Sequence, residues 1–422
     1  NVMQKKRHKL NPGSSKAVKQ CQVCDSPELE SIIFLGYFPI ANELNQIGNQ
    51  PHEQLSYPTQ LLYCNKCHLV QLGFIVDPKI VFPPEFPYTS STTKALRDNF
   101  AELYNDCKTI VSLDYNDLVV DVGSNDGNLL SNFKDKHRVL GVTPEEIGKL
   151  AIERGIPTII DYFNKDIASK IVSEYGQAKL VTATNVFAHI ENIHDIVEDI
   201  LLVLGNEGVF ISESHYLLPF INKLQYDTIY HEHQRFYSLH SLKYLLEMHG
   251  LDIIHVKQIP THGGSIRVYS ARKGVYPVNK SVSKLLEEEK EIVTSREELI
   301  KFKNKIVLSK LELHSLLFNI KRYGKNIYGI GAPARASTLL HYVGLTDGII
   351  DCVLEVKGSH KIGSYMSGTL IPILGEAKLL EDQPDYAFLF SWHIADELIP
   401  KLRQKGFKGS FVIPLPQPKI VS

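Results

Sequence analysis

Two pairs of closely spaced cysteines near the start of the chain constrain its fold more than any other feature. Cys21 and Cys24 bracket two residues, and so do Cys64 and Cys67. This spacing lets two turns present four thiolates to one tetrahedral zinc ion. Four thiolates complete the coordination shell, which predicts a structural zinc rather than a catalytic one. The surrounding region, residues 21–80 (the zinc module), has little core of its own, so metal binding is expected to supply part of its folding free energy.

The other two cysteines, Cys107 and Cys352, lie far apart in the sequence. This cysteine usage is typical of a reducing cytoplasm rather than of a disulfide-bonded protein. The sequence also shows no uncharged apolar run long enough to span a bilayer, and no signal peptide opens it. We therefore expect a cytoplasmic protein without a membrane partner, in which the basic and polar residues 1–20 form a flexible tail.

The balance of charges excludes one common class of function. Lys and Arg number 46, Asp and Glu number 47, and the formal net charge is −1. Proteins that bind nucleic acids through a broad face are usually basic. We therefore expect no nucleic-acid partner.

Beyond Lys94 the sequence alternates between helical patterns and short β-branched runs, which indicates an α/β fold with a mostly parallel sheet covered on both faces. Residues 281–322 have apolar residues at helical spacing and a charged face, which predicts amphipathic helices. A second strand-and-helix series follows. At 422 residues the chain exceeds one ordinary core. We predict a middle domain with a doubly wound sheet at 81–280, a helical linker at 281–315 and a Rossmann-like C-terminal domain at 316–422.

A glycine loop follows the first strand of the middle domain. The run Leu118–Val122 is β-branched and leads into the segment Asp121–Gly127, in which Gly123 and Gly127 are spaced differently from the dinucleotide fingerprint. Glycines allow the backbone to approach a ligand closely, and ligands of doubly wound sheets bind at the carboxyl ends of strands. An ordinary tight turn is the alternative. The segment looks like the motif of class I methyltransferases that holds S-adenosylmethionine.

The stretch Tyr230–His233 concentrates a phenol, a carboxylate and two imidazoles. Histidine can remove or deliver a proton near neutral pH, and tyrosine can donate to an oxyanion. A surface segment with a satisfied histidine is the alternative, and a metal site is disfavoured because the spacing differs from the helical zinc pattern. In the segment Thr261–Tyr269, two adjacent glycines indicate either a tight turn beneath a ligand or a plain β-hairpin.

Taken together, these segments resemble the S-adenosylmethionine-dependent sugar C-methyltransferases, three-domain enzymes that act on nucleotide-linked 4-keto-6-deoxyhexoses. The resemblance covers nearly the whole chain after the tail. Its matching segments are Pro39–Glu43, Leu69–Leu72, Asp121–Gly127, Asn185–Ile190, Tyr230–His233, His262–Ser265, Gly331–Arg335, Thr338–Leu340, Lys361–Gly363 and Gly368–Ile373.

The resemblance implies C-methylation at C3 of a nucleotide-linked 4-keto-6-deoxy sugar in deoxysugar biosynthesis. His233 would be the base, Tyr230 and Glu232 would orient the sugar or stabilise the enolate, and Tyr88 and Asn185 would reach the same pocket. The implied contacts to S-adenosylmethionine are Asp121, Gly123, Ser124, Asn125, Gly127, Thr143, Asp161, Tyr162, Phe163 and Asn185. The implied contacts to the nucleotide sugar are His262, Gly263, Gly264, Arg335, Lys361 and Tyr365, with Arg335 and Lys361 as phosphate partners.

The sequence departs from that family at three positions. Thr143 stands where an acidic residue usually bonds both ribose hydroxyls, and it can make only one such bond, so Glu145 is an alternative ribose partner. Ser367 and Glu355 stand where proline and aspartate are common. The nucleotide carrier is therefore left open, and so is the sugar.

Three other functions are compatible with parts of the sequence. O- or N-methylation of a sugar or small metabolite would use the same fold. A non-catalytic zinc-containing scaffold is disfavoured by the density of chemical groups at Tyr230–His233. A dehydrogenase is disfavoured because the C-terminal pair Gly329 and Gly331 lacks the third glycine and the acidic residue of the fingerprint. The sequence leaves the oligomeric state open, and a monomer is expected.

Overall fold

The structure is a computed structural model and describes residues 15–48, 50–83 and 93–422. The N-terminal elements form the zinc module. They are β1 (Lys16–Ala17), β2 (Leu29–Phe38), β3 (Tyr57–Cys64), β4 (Val70–Leu72), β5 (Phe74–Ile75) and the short helix α1 (Pro78–Val81). β2, β3 and β4 pair antiparallel, and β1 pairs with β5.

The middle part of the chain alternates between strands and helices. Its elements are α2 (Lys94–Ile110), β6 (Leu118–Val122), β7 (Arg138–Thr143), α3 (Gly148–Glu153), β8 (Thr158–Ile160), α4 (Lys165–Tyr175), β9 (Ala178–Thr184), α5 (Ile193–Val203), β10 (Leu204–His215), α6 (Leu217–Asn222), β11 (Arg235–Phe236), α7 (Leu239–Met248), β12 (Leu251–Ile259) and β13 (Ser265–Arg272).

One sheet joins most of these strands, in the order β12-β13-β10-β9-β6-β7-β8. The strands from β10 to β8 are parallel, and β12 and β13 are antiparallel neighbours at one edge. All five residues of β6 are buried, as expected for a strand covered on both faces. The parallel strands end at one edge of the sheet, and the site lies there.

Two helices lead to the C-terminal domain, α8 (Lys280–Val293) and α9 (Arg296–Lys321). The C-terminal elements are β14 (Ile327–Ile330), α10 (Ala334–Val343), β15 (Cys352–Glu355), β16 (Ile373–Gly375), α11 (Lys378–Asp382), β17 (Tyr386–Leu389), α12 (Ala395–Gln404), β18 (Ser410–Ile413) and β19 (Lys419–Val421). Their sheet has the order β16-β15-β14-β17-β18-β19 and is parallel except at β19. The α/β fold class expected from the sequence is confirmed.

The three parts share their cores. One apolar cluster contains Leu61 of β3, Phe220 of α6, Phe302 of α9 and Leu339 of α10. In addition, β11 leaves the middle domain and pairs antiparallel with β4 of the zinc module. The zinc module is thus an integral part of the body of the protein. Among the described residues, no helix has the length and apolarity needed to cross a membrane.

Candidate active site

A single cavity of about 1280 Å³ opens at the carboxyl ends of the parallel strands. Its wall contains residues from all three parts of the chain, including Asn42 of the zinc module, Gly123 and His233 of the middle domain, and Arg335 and Lys361 of the C-terminal domain. Pockets that bind one small ligand typically have volumes of about 300–1000 Å³. The cavity is therefore large enough for more than one ligand.

The glycine loop forms one end of this cavity. Gly123 has φ +77°, and a Cβ added there would lie 2.4 Å from Cγ2 of Val186. Gly127 has φ +80°, and an added Cβ would lie 2.9 Å from Cβ of Ala151. The loop therefore requires glycine for both its conformation and its packing. Gly123 lines the cavity, whereas Gly127 packs behind the loop and supports it.

Polar groups of the loop are available to a ligand. Asp121 is buried and accepts a hydrogen bond from Oγ1 of Thr182 at 2.7 Å, and burial raises the pKa of Asp121 to about 7. Among the described residues, the buried hydroxyl of Ser124 has no hydrogen-bond partner, although Ser124 lines the cavity. An orphaned buried polar atom beside a tight glycine loop fits the polar groups of S-adenosylmethionine.

The predicted ribose contacts also converge on the cavity. Thr143 ends β7 and is buried, and Glu145 follows it. Nδ2 of Asn125 donates to Oε2 of Glu145 at 3.0 Å, and burial raises the pKa of Glu145. Glu145 thus places a carboxylate beside Thr143 in the cavity wall.

Asp161–Phe163, another predicted S-adenosylmethionine contact, contributes two aromatic side chains to the cavity. Tyr162 and Phe163 line the cavity, and Tyr162 is 57% exposed. Asp161 is outside the cavity wall, and its Oδ1 accepts a hydrogen bond from the backbone N–H of Tyr162 at 2.7 Å. Asn185 follows β9, lines the cavity with φ 57°, and donates its backbone N–H to Glu213 O at 2.7 Å.

His233 lies in the wall between the glycine loop and the C-terminal domain and is 4% exposed. Its Nδ1 lies 2.7 Å from the backbone carbonyl of Thr228, which can only accept a hydrogen bond. The proton of a neutral imidazole is therefore on Nδ1, and Nε2 keeps its lone pair. Burial lowers the pKa of His233 well below its ordinary value, with nearby His189, His262 and Arg335 contributing. The side chain is thus a neutral imidazole whose Nε2 carries the free lone pair.

Further imidazoles and a phenol surround His233. Its ring centroid lies 4.2 Å from that of Tyr230, 4.5 Å from that of His215 and 5.1 Å from that of His189. Nδ1 of His189 donates to the backbone carbonyl of Glu232 at 2.6 Å, and burial lowers the pKa of His189 to about 4. His262 also lines the cavity, and burial lowers its pKa to about 4.

Glu232 interacts with both other domains, through a hydrogen bond to one and a nearby positive charge in the other. Nδ2 of Asn42, in the zinc module, donates to Oε1 of Glu232 at 2.5 Å. Burial raises the pKa of Glu232 to about 7, while the cation of Lys361 in the C-terminal domain opposes this shift. Lys361 also donates from Nζ to the carbonyl of Ala332 at 2.5 Å, and burial lowers its pKa.

The remaining predicted substrate contacts are distributed more widely. Arg335 lines the cavity, but its guanidinium forms an ion pair with Asp227. Gly263 and Gly264 lie in the connection between β12 and β13, behind His262 and outside the cavity wall. Tyr365 lines a separate pocket of about 340 Å³ and donates to the carbonyl of Gly48 at 2.8 Å. Tyr88 is outside the described residues.

Sequence reasoning missed many polar side chains that line the cavity, and four of them lie against residues that it had singled out. These four are Asn42, His189, His215 and His393. His189 belongs to a segment already singled out at the end of β9, and that position was a usable signal. Asn42 also belongs to a segment already singled out, Pro39–Glu43, but Asn42 and His393 come from other domains, and a single sequence gives no measure of how closely they approach the base.

The four cysteines of the zinc module converge as their spacing predicts. Their sulfur atoms all lie within 4.8 Å of one another, with Cys21 Sγ and Cys67 Sγ 3.4 Å apart and Cys24 Sγ and Cys64 Sγ also 3.4 Å apart. A tetrahedral zinc with bonds of about 2.3 Å requires sulfur atoms about 3.8 Å apart. The four thiols therefore fit a structural zinc ion, and they lie away from the cavity wall.

Models of known protein families match three successive parts of the chain. One described as "Putative zinc binding domain" matches residues 21–82, one described as "Methyltransferase domain" matches residues 92–256, and one described as "C-methyltransferase C-terminal domain" matches residues 260–416. Their order is the order of the three parts of the structure.

C-methyltransferase NovU of Streptomyces niveus is 30% identical to this chain over 412 residues, which are 96% of this chain and 97% of NovU. Magnesium protoporphyrin IX methyltransferase (ChlM) of Synechocystis PCC 6803, with bound SAH, is 14% identical with a TM-score of 0.33 and covers 42% of this chain and 83% of its own. An S-adenosylmethionine-dependent methyltransferase of Clostridium acetobutylicum ATCC 824 is 14% identical with a TM-score of 0.33. The match covers 44% of this chain and 94% of that methyltransferase.

The two solved structures are too dissimilar to carry an argument about function. The relationship to NovU, by contrast, extends over nearly the whole of both chains, and the three family models agree with it. The chain belongs to the family of S-adenosylmethionine-dependent C-methyltransferases that have an N-terminal zinc-binding domain.

Proposed function

We propose that this enzyme methylates C3 of a nucleotide-linked 4-keto-6-deoxy sugar, with His233 as the base that removes the C3 proton. The observation that carries the proposal is the hydrogen bond from Nδ1 of His233 to Thr228 O, which leaves Nε2 as a proton acceptor in the cavity wall. A carbon atom is a poor nucleophile unless a neighbouring carbonyl acidifies its C–H bond. O- and N-methylation have acceptors that are already nucleophilic and need no such step.

The groups around His233 supply the other requirements of this chemistry. When C3 loses its proton, negative charge develops on the C4 oxygen, and donors near that oxygen lower the barrier. Tyr230 is 4.2 Å from His233 between ring centroids, and Glu232, with its pKa near 7, can be a protonated donor below that pH. S-adenosylmethionine supplies an electrophilic methyl group when bound at the glycine loop, where Ser124, Asn125 and Glu145 would hold it.

The extent of the cavity supports a nucleotide-linked substrate. It continues from the glycine loop past His233 to Pro333, Lys361 and Ser391 of the C-terminal domain. Holding the sugar in a fixed position beside the methyl donor removes much of the entropic cost of the reaction. The carrier nucleotide would lie toward the C-terminal domain, with Lys361 as the cation nearest the sugar site.

Replacing His233 by asparagine tests the role of the base. We expect the kcat of His233→Asn to fall by about 10²- to 10⁴-fold, the range typical of general-base catalysis. S-adenosylmethionine affinity, measured by calorimetry, should stay unchanged because His233 lies outside the glycine loop. His137→Asn is the matched control, since His137 is partly exposed and lies outside the cavity wall, where its ring bonds to Asp114 O, and it should keep full turnover.

Products from a panel of nucleotide-linked 4-keto-6-deoxy sugars, analysed by NMR, test the substrate. A new methyl group bonded to C3 is expected for at least one member of the panel. A methyl group on oxygen or nitrogen, or normal turnover in His233→Asn, would contradict the proposal.

A further inference from the structure

The segment that carries the base is attached to the C-terminal domain immediately before His233. Residues 226–233 (the base segment) begin with a 3₁₀ turn, Tyr226–Thr228, that packs against α10. Ring centroids of Tyr226 and Tyr342 are 5.3 Å apart. The conformation of the base segment is therefore determined partly by a domain that carries neither the base nor the glycine loop.

The strongest attachment is an ion pair between Asp227 and Arg335 at the start of α10. Nε and Nη2 of Arg335 donate to the two carboxylate oxygens of Asp227 at 2.8 and 2.9 Å. Nε1 of Trp392 donates to the same carboxylate at 2.7 Å, and its ring lies under the guanidinium at 5.2 Å. Asp227 is fully buried and Arg335 is 7% exposed. A two-pronged pair with so little water around it fixes orientation as well as distance.

A second attachment lies two residues further on. Oγ1 of Thr338, one helical turn after Arg335, donates to the backbone carbonyl of Ile229 at 2.8 Å. Thr228 therefore lies between two residues that α10 holds in place. The carbonyl of Thr228 is the acceptor for Nδ1 of His233. The direction of that carbonyl determines both the tautomer and the ring orientation of His233.

The same contacts argue against a simple phosphate-binding role for Arg335. Its charge is neutralised by Asp227, and its Nη1 donates to Nδ1 of His393 at 2.9 Å. A phosphate would have to compete with a buried carboxylate that already occupies the Nε/Nη2 edge of the guanidinium. Lys361 has no such carboxylate within ion-pair distance among the described residues.

We propose that Asp227 and Arg335 are positioning residues, which hold the Thr228 carbonyl so that His233 keeps its proton on Nδ1 and directs Nε2 at the substrate. This inference rests on the proposed role of His233 as the base. It assigns to the C-terminal domain a part in catalysis besides substrate binding.

Kinetics of Asp227→Asn and Arg335→Lys test the pair. Each change breaks the two-pronged geometry while preserving most of the side-chain volume. We expect kcat to fall about 100-fold, the cost of a small misplacement of a catalytic group. The KM for the nucleotide sugar and the affinity for S-adenosylmethionine should stay unchanged. In the double variant the two losses should not multiply, because both changes break the same contact.

The tautomer of His233 gives a readout that does not depend on activity. In protein with ¹⁵N-labelled histidine, the His233 signals are assigned by their loss in His233→Asn. The intact enzyme should show a protonated Nδ1 and an unprotonated Nε2, and Asp227→Asn should show a mixture of tautomers. Glu376→Gln is the matched control, since it removes an exposed carboxylate paired with Lys405 in the same domain, and it should change neither signal nor kcat.

If a thermal scan shows that Asp227→Asn is not folded, Thr338→Val and Trp392→Phe test the inference in its place. Each removes one donor to the base segment, and each should give a smaller loss of kcat and a partial tautomer change. An unchanged tautomer and kcat in all variants would overturn the inference. A raised KM in Arg335→Lys with normal kinetics in Asp227→Asn would also overturn it, in favour of a phosphate ligand. Normal turnover in His233→Asn would overturn the proposed base instead, and the tautomer readout separates the two outcomes.

Discussion

Burial keeps His233 neutral in the cavity, and this has a direct effect on how the reaction should respond to pH. The base must be unprotonated to accept a proton, and burial lowers the pKa of His233 well below 6.5. We therefore expect kcat/KM to be retained as the pH falls through 6.5 and to decline only at a pH well below 6.5. A pH–rate profile with saturating S-adenosylmethionine measures this.

Glu232 should contribute a separate feature near pH 7, because burial raises its pKa to about that value. Glu232→Gln retains the shape of the side chain and removes its titration, so a limb near pH 7 should disappear in this variant. If kcat/KM of Glu232→Gln still falls as the pH drops through 6.5, the base is instead an ordinary, solvated imidazole.

The buried histidines also predict how stability depends on pH. Within the described residues, burial is the largest cause of a lowered pKa for eleven imidazoles, and the pKa is lowered most for these six: His189, His215, His231, His233, His262 and His393. Between about pH 6.5 and 4 the unfolded chain binds protons at these sites and the folded chain does not, so the free energy of unfolding falls as the pH falls. Each site contributes up to about 1.4 kcal/mol per pH unit.

Within the described residues, five carboxyls have a pKa raised by burial and act in the opposite direction, and Asp121 and Glu232 are shifted most. Burial raises the pKa of Asp121 and of Glu232 to about 7, so below that pH their protonation favours the folded state. The imidazoles outnumber them, and the net free energy of unfolding in urea should decrease as the pH falls from about 6.5 to 4. A protein that became more stable over this range would show that the histidines are solvated or paired with carboxylates.

Sequence alone could identify the type of each reactive group but not its surroundings. The density of chemical groups at Tyr230–His233 indicated a proton-transfer site, and the cavity contains all of them except His231, which bonds to Pro58 O. The hydrogen bond from His233 to Thr228 depends on backbone geometry five residues away. The partner of Arg335, Asp227, is 108 positions away, and residue types give no measure of such a contact.

At the scale of elements, the turn after β6 determines how closely a ligand can approach the sheet. Gly123→Ala would place a Cβ 2.4 Å from Val186 at the cavity wall, in a backbone conformation that L-residues rarely adopt. We expect at least a tenfold loss of S-adenosylmethionine affinity, about 1.4 kcal/mol, in calorimetry.

Gly155→Ala is the matched control for this prediction. Gly155 has φ +78°, so the backbone cost is similar, but an added Cβ would meet nothing within 4 Å. Gly155→Ala should lose some stability and keep its affinity for the cofactor. Equal losses of affinity in the two variants would show that backbone strain, and not closure of the loop around the ligand, determines binding.

The sequence predicted individual strands well, but it did not predict the pairing of a strand of one domain with a strand of another. The β-branched run Leu118–Val122 forms β6 as expected, because apolar periodicity reports burial directly. The two-residue strand β11 pairs with β4 of the zinc module across more than 160 positions. Strands this short contain no recognisable pattern, so this pairing could not be predicted.

In the whole molecule, the base segment and the residues that follow it are held from two sides. The C-terminal domain holds Asp227 and Ile229, as described above. On the other side, Nη1 of Arg235 donates to Oε1 of Gln22 at 2.5 Å, and Gln22 lies between the zinc-binding residues Cys21 and Cys24. The zinc module therefore contacts the chain two residues after His233.

Loss of zinc should loosen this second attachment. In Cys64→Ala we expect loss of bound zinc by elemental analysis, a lower Tm, and faster hydrogen exchange at the amides of residues 234–237, because metal binding supplies folding free energy to a small module. Cys352→Ala is the control, since Cys352 is buried in β15 of the C-terminal domain, and it should keep its zinc and its slow exchange. Unchanged hydrogen exchange at these amides in Cys64→Ala would show that zinc binding does not stabilise the chain next to the base segment.

Exchange of the C3 hydrogen of the substrate tests the central claim most directly, because it follows proton removal without methyl transfer. The enzyme is incubated in deuterated water with a nucleotide-linked 4-keto-6-deoxy sugar and S-adenosylhomocysteine, and deuterium at C3 is measured by NMR. The account predicts that deuterium enters C3 with the intact enzyme and not with His233→Asn. Equal incorporation with both proteins would show that His233 is not the base.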